Sequence, residues 1–276
     1  MICLKSYAKL NLYLHVLGKV SIGKYNGYHL IDSVMVLIKD VYDEISLVES
    51  DKLTININIP ILNSTIDRVF FYLEKITGLN IKYNISLKKN IPIGSGLGGG
   101  SSNAATLLLY FQKKYSISLE VINDIALKVG IDTVFFLKQQ SSRVFGLGDI
   151  LTPINISKKK KFILVVNDGI HISSKGVYSK LYLDNTIKYA IKYNSLDDLL
   201  LSTTNDLYET ARKINPNIEN IINVINSQKN CICSKMSGSG GSCFGIFHCY
   251  EDVKIALNNI KNINKNWWYA ISELEI

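Results

Sequence analysis

The residues that most clearly indicate chemistry lie in the stretch IPIGSGLGGGSSNAATLL, residues 91–108. Its glycines let backbone N–H groups approach a ligand closely, and the N-terminus of the helix predicted to follow presents unpaired donors and a partial positive charge. The stretch therefore predicts a cradle for an anion, most naturally the phosphates of a nucleotide. The residues predicted to form it are Pro92, Ile93, Gly94, Ser95, Gly96, Leu97, Gly98, Gly99, Gly100, Ser101 and Ser102.

The glycines of this stretch also fit part of a dinucleotide-binding pattern. Gly94, Gly96 and Gly99 match GxGxxG, but a dinucleotide fold needs an acidic residue about twenty positions later at the end of a strand. Glu120 has that spacing and begins a helical pattern instead. The absence of GK[ST] excludes a P-loop, and the absence of HRD and DFG excludes a protein kinase. A flexible linker or a tight turn remains the structural alternative.

Hydrophobic periodicity predicts the elements that position this loop. Leu10, Leu12, Leu14 and Val16 alternate with polar residues, which predicts a strand that directs Lys9, Asn11 and His15 to one side. Further strands are predicted at 55–59, 81–87, 162–166, 242–247 and 267–272. Helices are predicted over 104–111 with a start near Ser101 and Ser102, over 119–129 with Gly130 as the stop, and over 196–213 and 218–227.

Strands and helices are interspersed without regular alternation, so the sequence predicts an α+β fold. Pro153 and the run Lys158 to Lys161 precede a strand-like segment, which predicts a boundary between domains at residues 1–153 and 154–276. The lysine run itself is interpreted as a solvated loop.

Composition narrows the classes of protein. The chain has 276 residues, 47% of them hydrophobic, so it can bury a sizeable core. The net charge of +8 suits an anionic substrate or nucleic acid, but lysines spread along the whole chain explain it equally. A nucleic-acid-binding protein that uses this charge and the sixteen tyrosines is one hypothesis from another class.

Cysteine usage and the absence of export signals predict a cytoplasmic protein. The five cysteines are odd in number and lack CxxC spacing, which predicts reduced, buried thiols and no metal site built from them. The N-terminus has no pattern of a signal peptide, and no apolar run reaches membrane-spanning length. We expect no membrane partner, and the sequence does not give the oligomeric state.

The segment PIGSGLGGGSSNAA, residues 92–105, resembles the ATP-phosphate motif of the GHMP kinases. Three further segments agree in order and spacing: AKLNLYLHV at 8–16, GYHLIDS at 27–33 and GSGGSCFGIF at 238–247. The first two are typical of the family that phosphorylates 4-diphosphocytidyl-2-C-methyl-D-erythritol. The resemblance covers nearly the whole chain.

This resemblance implies a two-lobed fold with an N-terminal ATP-binding domain and a smaller C-terminal α+β domain. It also implies transfer of a phosphoryl group from ATP, with Mg²⁺, to the 2-hydroxyl of that substrate in the non-mevalonate route to isoprenoid precursors in a bacterial cytoplasm. No nucleic-acid partner is expected. Another GHMP kinase, of homoserine or mevalonate type, is the alternative, and a regulator that binds ATP without catalysis is a further one.

The family's catalytic pair falls on Lys9, in YAKLN, and Asp132, in VGIDTVFFL. The resemblance implies that Asp132 accepts the proton of the substrate hydroxyl, while Lys9 orients Asp132 and offsets charge on the phosphoryl group. The family commonly reads Gly-Ala-Asp-Val-Pro at this point. Here Thr133 and Val134 follow the aspartate, so the proline is missing.

The remaining implied contacts concern the substrate and the metal. The cytidine end of the substrate is expected near Tyr28 and His29, with Tyr178 stacking on the flat base. Asn11 is expected to contact the substrate, and Ser102 is the candidate metal ligand. The GSGG turn at 238–241 resembles the superfamily motif that packs against the phosphate loop.

Overall fold

The computed structural model describes residues 1–61, 64–154, 160–183 and 191–274, which form two compact units. The first unit comprises Met1–Ala8, Val41–Ile91 and Gly98–Gln140, and the second comprises Lys9–Asp40, Pro92–Leu97 and the chain from Ser141. Each is discontinuous in sequence, because two long strands contribute residues to both. No single cut of the chain yields these units, so the domain boundary at residue 153 stays a prediction.

The first unit combines strands of one sheet with helices. Its elements, in chain order, are the beginning of β1 (Ile2–Lys19), the end of β2 (His29–Glu49), β3 (Thr54–Ile57), α1 (Thr65–Thr77), β4 (Tyr83–Lys88), α2 (Gly99–Tyr115), α3 (Leu119–Val129) and α4 (Asp132–Lys138). β4 pairs antiparallel with β2 and parallel with β3. Phe111 of α2 lies in the core, where its ring is 5.5 Å from the rings of Phe70 and Tyr83.

The second unit contains the rest of β1 and β2 and every later element. These are β5 (Ser142–Gly146), β6 (Ile150–Pro153), β7 (Lys161–Asn167), α5 (Ser174–Lys180), α6 (Leu196–Ser202), α7 (Tyr208–Ile214), α8 (Asn217–Asn226), β8 (Cys231–Met236), β9 (Ser242–Phe247), α9 (Tyr250–Ile263) and β10 (Trp268–Leu274). β5 pairs antiparallel with β2 and with β6. An antiparallel sheet follows with the order β10-β7-β9-β8. All six residues of β9 are buried, so this strand is the centre of the sheet's core.

Local sequence signals account for several helix ends. Ser64 and Asp67 form a capping box at the start of α1, and Gly78 ends that helix in the left-handed region at φ 69°. Ser118 accepts a hydrogen bond at the start of α3. The predicted stop at Gly130 is confirmed, although φ is 171° there, which is extended backbone that any residue adopts.

Most of the predicted elements are confirmed, and the α+β class is correct. Several expectations were wrong. The strand around residues 10–16 is buried on both faces, with Leu12 0% and Tyr13 1% exposed. The helix over 196–213 is broken, because α6 ends before Thr203 and α7 begins at Tyr208.

The third expectation, a solvated loop at the lysine run, is wrong for one of its residues. Lys158 and Lys159 lie outside the described residues, and Lys160 is exposed before β7, as expected. Lys161, however, is 2% exposed and its ammonium lies 3.0 Å from Asp197. A buried lysine with a carboxylate partner is part of the fold and is not in a solvated loop.

The five cysteines are free, as expected. Only Cys243 is buried, while Cys3 and Cys249 are exposed, so burial of all the thiols was wrong. Within the described ranges, no helix has the length and apolar character needed to cross a membrane.

Candidate active site

The part of the glycine loop that belongs to the second unit turns its carbonyl groups into that unit. Four consecutive carbonyl oxygens accept hydrogen bonds there. The bonds run from Ile172 N to Gly94 O at 3.1 Å, from Ser242 N to Ser95 O at 2.9 Å, from Lys9 Nζ to Gly96 O at 2.9 Å and from Lys9 N to Leu97 O at 3.0 Å. In a trans peptide the C=O and the following N–H point in opposite directions, so the N–H groups that follow these carbonyls point away from these partners.

Glycine is required at alternate positions of the loop. Gly94, Gly96 and Gly98 have φ of 61°, 74° and 71°, in the left-handed region that side chains rarely adopt. Alternation between left-handed and ordinary residues makes successive N–H groups converge into an anion-binding concavity. The glycines with this conformation are therefore 94, 96 and 98, whereas Gly99 of the GxGxxG pattern is already helical.

In the first unit, the loop continues directly into α2. The helix begins at Gly99, two residues before the predicted start, and its N-cap Gly98 has no side chain that could cap it. The first intrahelical bond runs from Ser102 N to Gly98 O at 2.9 Å. The helix therefore offers backbone N–H groups and the positive end of its dipole at the end of the glycine loop. This geometry supports the predicted phosphate cradle and not a flexible linker.

A buried ion pair supports the same loop within the first unit. Asp43 is 0% exposed, is paired with the ammonium of Lys89, and accepts hydrogen bonds from Asn90 N at 2.8 Å and Ile91 N at 2.9 Å. Asn103 of α2 donates to Asp43 at 2.9 Å. One carboxylate thus fixes both the chain that enters the loop and the helix that leaves it. These residues were not predicted, because Asp43 lies between Asp40 and Glu44 and its sequence neighbourhood does not single it out.

Lys9 and Asn11 lie together in the second unit. Both are buried, at 3% and 1% exposure, and the Lys9 ammonium donates to Asn11 Oδ1 as well as to Gly96 O. Asn11 also donates through Nδ2 to Ser33 Oγ at 2.8 Å. The sequence expectation that Lys9 and Asn11 share a strand face is confirmed. Direct contact of Asn11 with substrate stays a prediction, since its side chain holds Lys9 and Ser33.

His15 was predicted on the same face and lies further along β1. Its Nδ1 is 3.2 Å from Asp206, and its ring is 5.3 Å from that of Tyr13. The carboxylate of Asp206 also accepts from Val16 N at 2.9 Å. His15 therefore anchors β1 to the segment before α7.

Asp132 is the first residue of α4 in the first unit. The turn before it is closed by hydrogen bonds from Thr133 N to Gly130 O at 2.9 Å and from Val134 N to Ile131 O at 3.1 Å. Val134 occupies the family's proline position, and it donates through a backbone N–H that proline lacks. The turn is thus closed without proline. The pairing of Asp132 with Lys9 stays a prediction.

The turn before Asp132 lies against α2 within the first unit. A side-chain carbon at Gly130 would come 3.7 Å from Ser101 Oγ. Asp132 therefore begins its helix close to the residues at which α2 begins. This proximity agrees with a carboxylate that acts near bound phosphates.

The aromatic residues predicted to hold the substrate base lie in the second unit. The ring of His29 is 5.0 Å from that of Tyr178, with an angle of 34° between the planes. Tyr28 is 48% exposed, and its ring lies 5.7 Å from that of Tyr25. Burial, and then the nearby charge of Lys19, lowers the pKa of His29 below 6.5. The structure thus brings His29 and Tyr178 together as a partly open aromatic pair.

The GSGG turn contacts the glycine loop, as predicted. Ser237 Oγ donates to Gly96 O at 3.1 Å, and Ser239 Oγ lies 2.6 Å from Ser174 Oγ at the start of α5. A side-chain carbon on Gly96 would come 2.2 Å from the carbonyl oxygen of Ser237. The turn therefore links the loop to the helix that carries Tyr178.

The described residues show no evident set of metal ligands. Among residues that the structure describes, no group of three or more His, Cys, Asp or Glu side chains could hold a metal ion. Ser102 is 2% exposed, and its oxygen accepts from Ser6 Oγ at 2.8 Å. Mg²⁺ in kinases keeps several waters and binds through few carboxylates together with the substrate phosphates. The Ser102 hydroxyl without a carboxylate cluster therefore fits an ion held mainly by the nucleotide better than one held by the protein. Ser102 as a ligand stays a prediction.

Comparison with models of known protein families identifies the class of protein to which this chain belongs. The sequence model of the GHMP kinases N terminal domain matches residues 64–140, and that of the GHMP kinases C terminal domain matches residues 188–266. The fold and the glycine loop therefore define an ATP-dependent small-molecule kinase of the GHMP type.

Individual relatives narrow the class. The chain is 34% identical over 288 residues to the 4-diphosphocytidyl-2-C-methyl-D-erythritol kinase of Wolbachia sp. subsp. Drosophila simulans (strain wRi), covering 99% of this chain and 98% of the relative. It is 33% identical to the protein of the same name from Finegoldia magna (strain ATCC 29328 / DSM 20472 / WAL 2508), covering 95% and 96%. A crystal structure of 4-(cytidine 5'-diphospho)-2C-methyl-D-erythritol kinase matches with a TM-score of 0.78 and 23% identity over 100% of both chains, which confirms the fold. The chain belongs to the 4-diphosphocytidyl-2-C-methyl-D-erythritol kinase family of the GHMP kinases.

Proposed function

We propose that this chain transfers the γ-phosphoryl group of ATP to the 2-hydroxyl of 4-diphosphocytidyl-2-C-methyl-D-erythritol, a step of the non-mevalonate route to isoprenoid precursors. The observation that carries the proposal is the similarity to kinases of that name over 99% of the chain. The aromatic pair of His29 and Tyr178 supports it, because a flat pyrimidine base can stack there.

Each group has a role in the proposed step. The loop 92–102 holds the phosphates through N–H groups and the α2 N-terminus. Asp132 accepts the hydroxyl proton while the substrate oxygen bonds to the γ-phosphorus and the bond from that phosphorus to ADP breaks. Lys9 offsets charge on the phosphoryl oxygens. Mg²⁺ would be held mainly by the phosphates and would supply further charge neutralisation.

The proposal also covers partners and location. It comprises a small-molecule cytidine diphosphate substrate, no nucleic-acid or membrane partner, and a bacterial cytoplasm as the location. The relatives from Wolbachia and Finegoldia are bacterial proteins, which supports the last point.

ADP release measured across a panel of alcohols tests the function. We expect turnover with 4-diphosphocytidyl-2-C-methyl-D-erythritol and none with homoserine or mevalonate. Turnover with either of the latter, and none with the cytidine substrate, would contradict the proposal.

The variant Asp132→Asn tests the mechanism in the same assay. Because the amide cannot accept the proton, kcat should fall by about 10²-fold or more. Equal rates for the wild type and the variant would remove Asp132 from the mechanism. No turnover by the wild type on any alcohol, together with tight binding of an ATP analogue, would favour a regulator instead.

A further inference from the structure

Ser33 is a buried residue of β2 with no role in the proposed phosphoryl transfer itself. It is 0% exposed, and its hydroxyl makes two hydrogen bonds within the second unit. Ser33 Oγ donates to the carbonyl oxygen of Tyr13 at 2.5 Å and accepts from Asn11 Nδ2 at 2.8 Å. A serine hydroxyl has one proton, and a carbonyl oxygen can only accept. Ser33 can therefore act only as an acceptor toward Asn11.

This polarity determines which way the Asn11 amide faces. The oxygen and nitrogen of an amide are distinguished by their hydrogen-bond partners. With Ser33 as an acceptor, the NH₂ group faces Ser33 and the carbonyl oxygen faces the ammonium of Lys9, which can only donate. The reversed amide would set donor against donor at Lys9 and acceptor against acceptor at Ser33.

The carbonyl of Tyr13 is a fixed reference for this arrangement. Tyr13 is held at its other end, because its hydroxyl donates to Asp32 at 2.7 Å. Asp32 is 0% exposed and accepts two bonds from Arg143, at 3.0 Å and 2.8 Å. The residue to which Ser33 donates is thus restrained at both its backbone and its side chain.

We propose that Ser33 is a positioning residue for Lys9: by donating to Tyr13 O, its hydroxyl obliges Asn11 to present an acceptor to the ammonium. The inference rests on the proposed function, in which Lys9 offsets charge on the transferring group. Gly96 O also accepts from this ammonium, at 2.9 Å, so Asn11 and the loop together aim it.

The kinetic test compares two buried serines. Ser33→Ala should lower kcat about tenfold, because a charged hydrogen bond loses its oriented acceptor, and should leave both KM values nearly unchanged. Ser33→Thr keeps the hydroxyl and should restore most of kcat. The control is Ser272→Ala, another buried serine of the second unit, whose hydroxyl bonds Asp40 at 3.0 Å. An equal fall in kcat for both alanine variants would overturn the proposal.

A double-mutant cycle separates positioning from general destabilisation. Once Asn11→Ala has removed the amide, adding Ser33→Ala should change kcat by less than about twofold. Independent, additive losses would show that Ser33 does not act through Asn11.

A measurement without substrate keeps the inference distinct from the proposed function. In ¹H–¹⁵N spectra, the Asn11 side-chain NH₂ should be protected from exchange in the wild type and in Ser272→Ala, and lose protection in Ser33→Ala. Unchanged protection in Ser33→Ala would overturn the inference, whichever alcohol is phosphorylated. Loss of protection, together with no turnover on any alcohol, would leave the positioning intact and remove the proposed function.

Discussion

Two regions of the second unit hold the side chains proposed for function in opposite ways. Around Lys9, the side chains are 0–3% exposed, and the polar groups of Lys9, Asn11 and Ser33 have partners with a defined direction. Around His29, the side chains meet through aromatic ring contacts, tilted for His29 and Tyr178 and edge-to-face for Tyr28, which is half exposed. Hydrogen bonds in a buried region specify atom positions, whereas ring contacts tolerate sliding.

The difference between the two regions indicates which side chains must be positioned precisely. In the proposed reaction, phosphoryl transfer depends on charges placed within a fraction of an ångström, which a buried polar network of this kind can supply. The flat base of the proposed substrate needs surface and a polar edge, for which partly open aromatic rings suffice. Substitutions in the first region should therefore act on kcat, and substitutions in the second should act on KM.

Removal of the Lys9 charge is expected to have the largest effect. Lys9→Met keeps the length of the side chain and removes the donors, so kcat should fall about 10²–10³-fold while KM for the alcohol changes little. The matched control is Lys5→Met, the same substitution on the same strand at an exposed residue. ADP release, measured for both variants over a range of alcohol concentrations up to saturation, gives kcat and KM. A raised KM with unchanged kcat would place Lys9 in the binding region instead and break the comparison.

A methyl group at Gly96 should have the next largest effect. Gly96→Ala requires a left-handed alanine and brings its side chain to 2.2 Å from Ser237 O, so the loop must move. We expect a loss of about 1–3 kcal/mol in the free energy of unfolding, from strain of this kind, and weaker binding of an ATP analogue in calorimetric titration.

Gly169→Ala is the control for that substitution. Gly169 lies in the same unit with φ of 82°, and a side-chain carbon there would meet nothing within 4 Å. This variant should lose about 1 kcal/mol from backbone strain alone and bind the analogue normally. Equal affinities for the two variants would mean that the close approach to Ser237 does not shape the cradle.

How much of the fold could be predicted depended on whether the residues that determine an element lie close together in the sequence. Helix α3 was predicted from end to end because its periodicity and its stop at Gly130 lie within a few residues of one another. β2 was not predicted, because residues 31–38 are buried without interruption and show no alternation, and the alternation of residues 41–47 is obscured by the buried but charged Asp43. The broken helix at 196–213 was missed because a threonine-rich interruption is a weak breaker beside continuous apolar spacing.

At the candidate site, too, local sequence patterns were predictive and contacts between distant residues were not. The glycine loop was predicted from its own residues, whereas the left-handed backbone at three of its glycines was not. The helix start was misplaced by two residues, since Gly99 and Gly100 have poor helix propensity and are held there by tertiary contacts with Ile91 and Thr65. Ser33 and Ser237 are 22 and 226 residues from Asn11, and no local pattern encodes that they meet.

Loss of the Tyr178 ring tests the second region. Tyr178→Ala should raise KM for the cytidine substrate about tenfold, because one stacking surface is lost, and leave kcat within about threefold. Tyr178→Phe keeps the ring and should stay close to the wild type. A large fall in kcat for the alanine variant would show that the aromatic pair also aligns the reacting groups, and the contrast between the two regions would fail.

The smallest expected effect is a pH dependence that comes from His29. Burial, then Lys19, lowers the pKa of His29 in the folded chain below its usual 6.5, so the unfolded chain binds more protons in the window between the two values. Stability should therefore be full above about pH 6.5 and decrease as the pH falls through the folded pKa.

Thermal unfolding of the wild type and of His29→Gln from pH 7.5 to 5 measures this, and the variant should lack that part of the decrease. Because His29 is half-buried, solvent screens the effect and it should be slight. Identical pH profiles would mean that the ring is as solvated as in the unfolded chain, and the second region would then be more open than its contact with Tyr178 indicates.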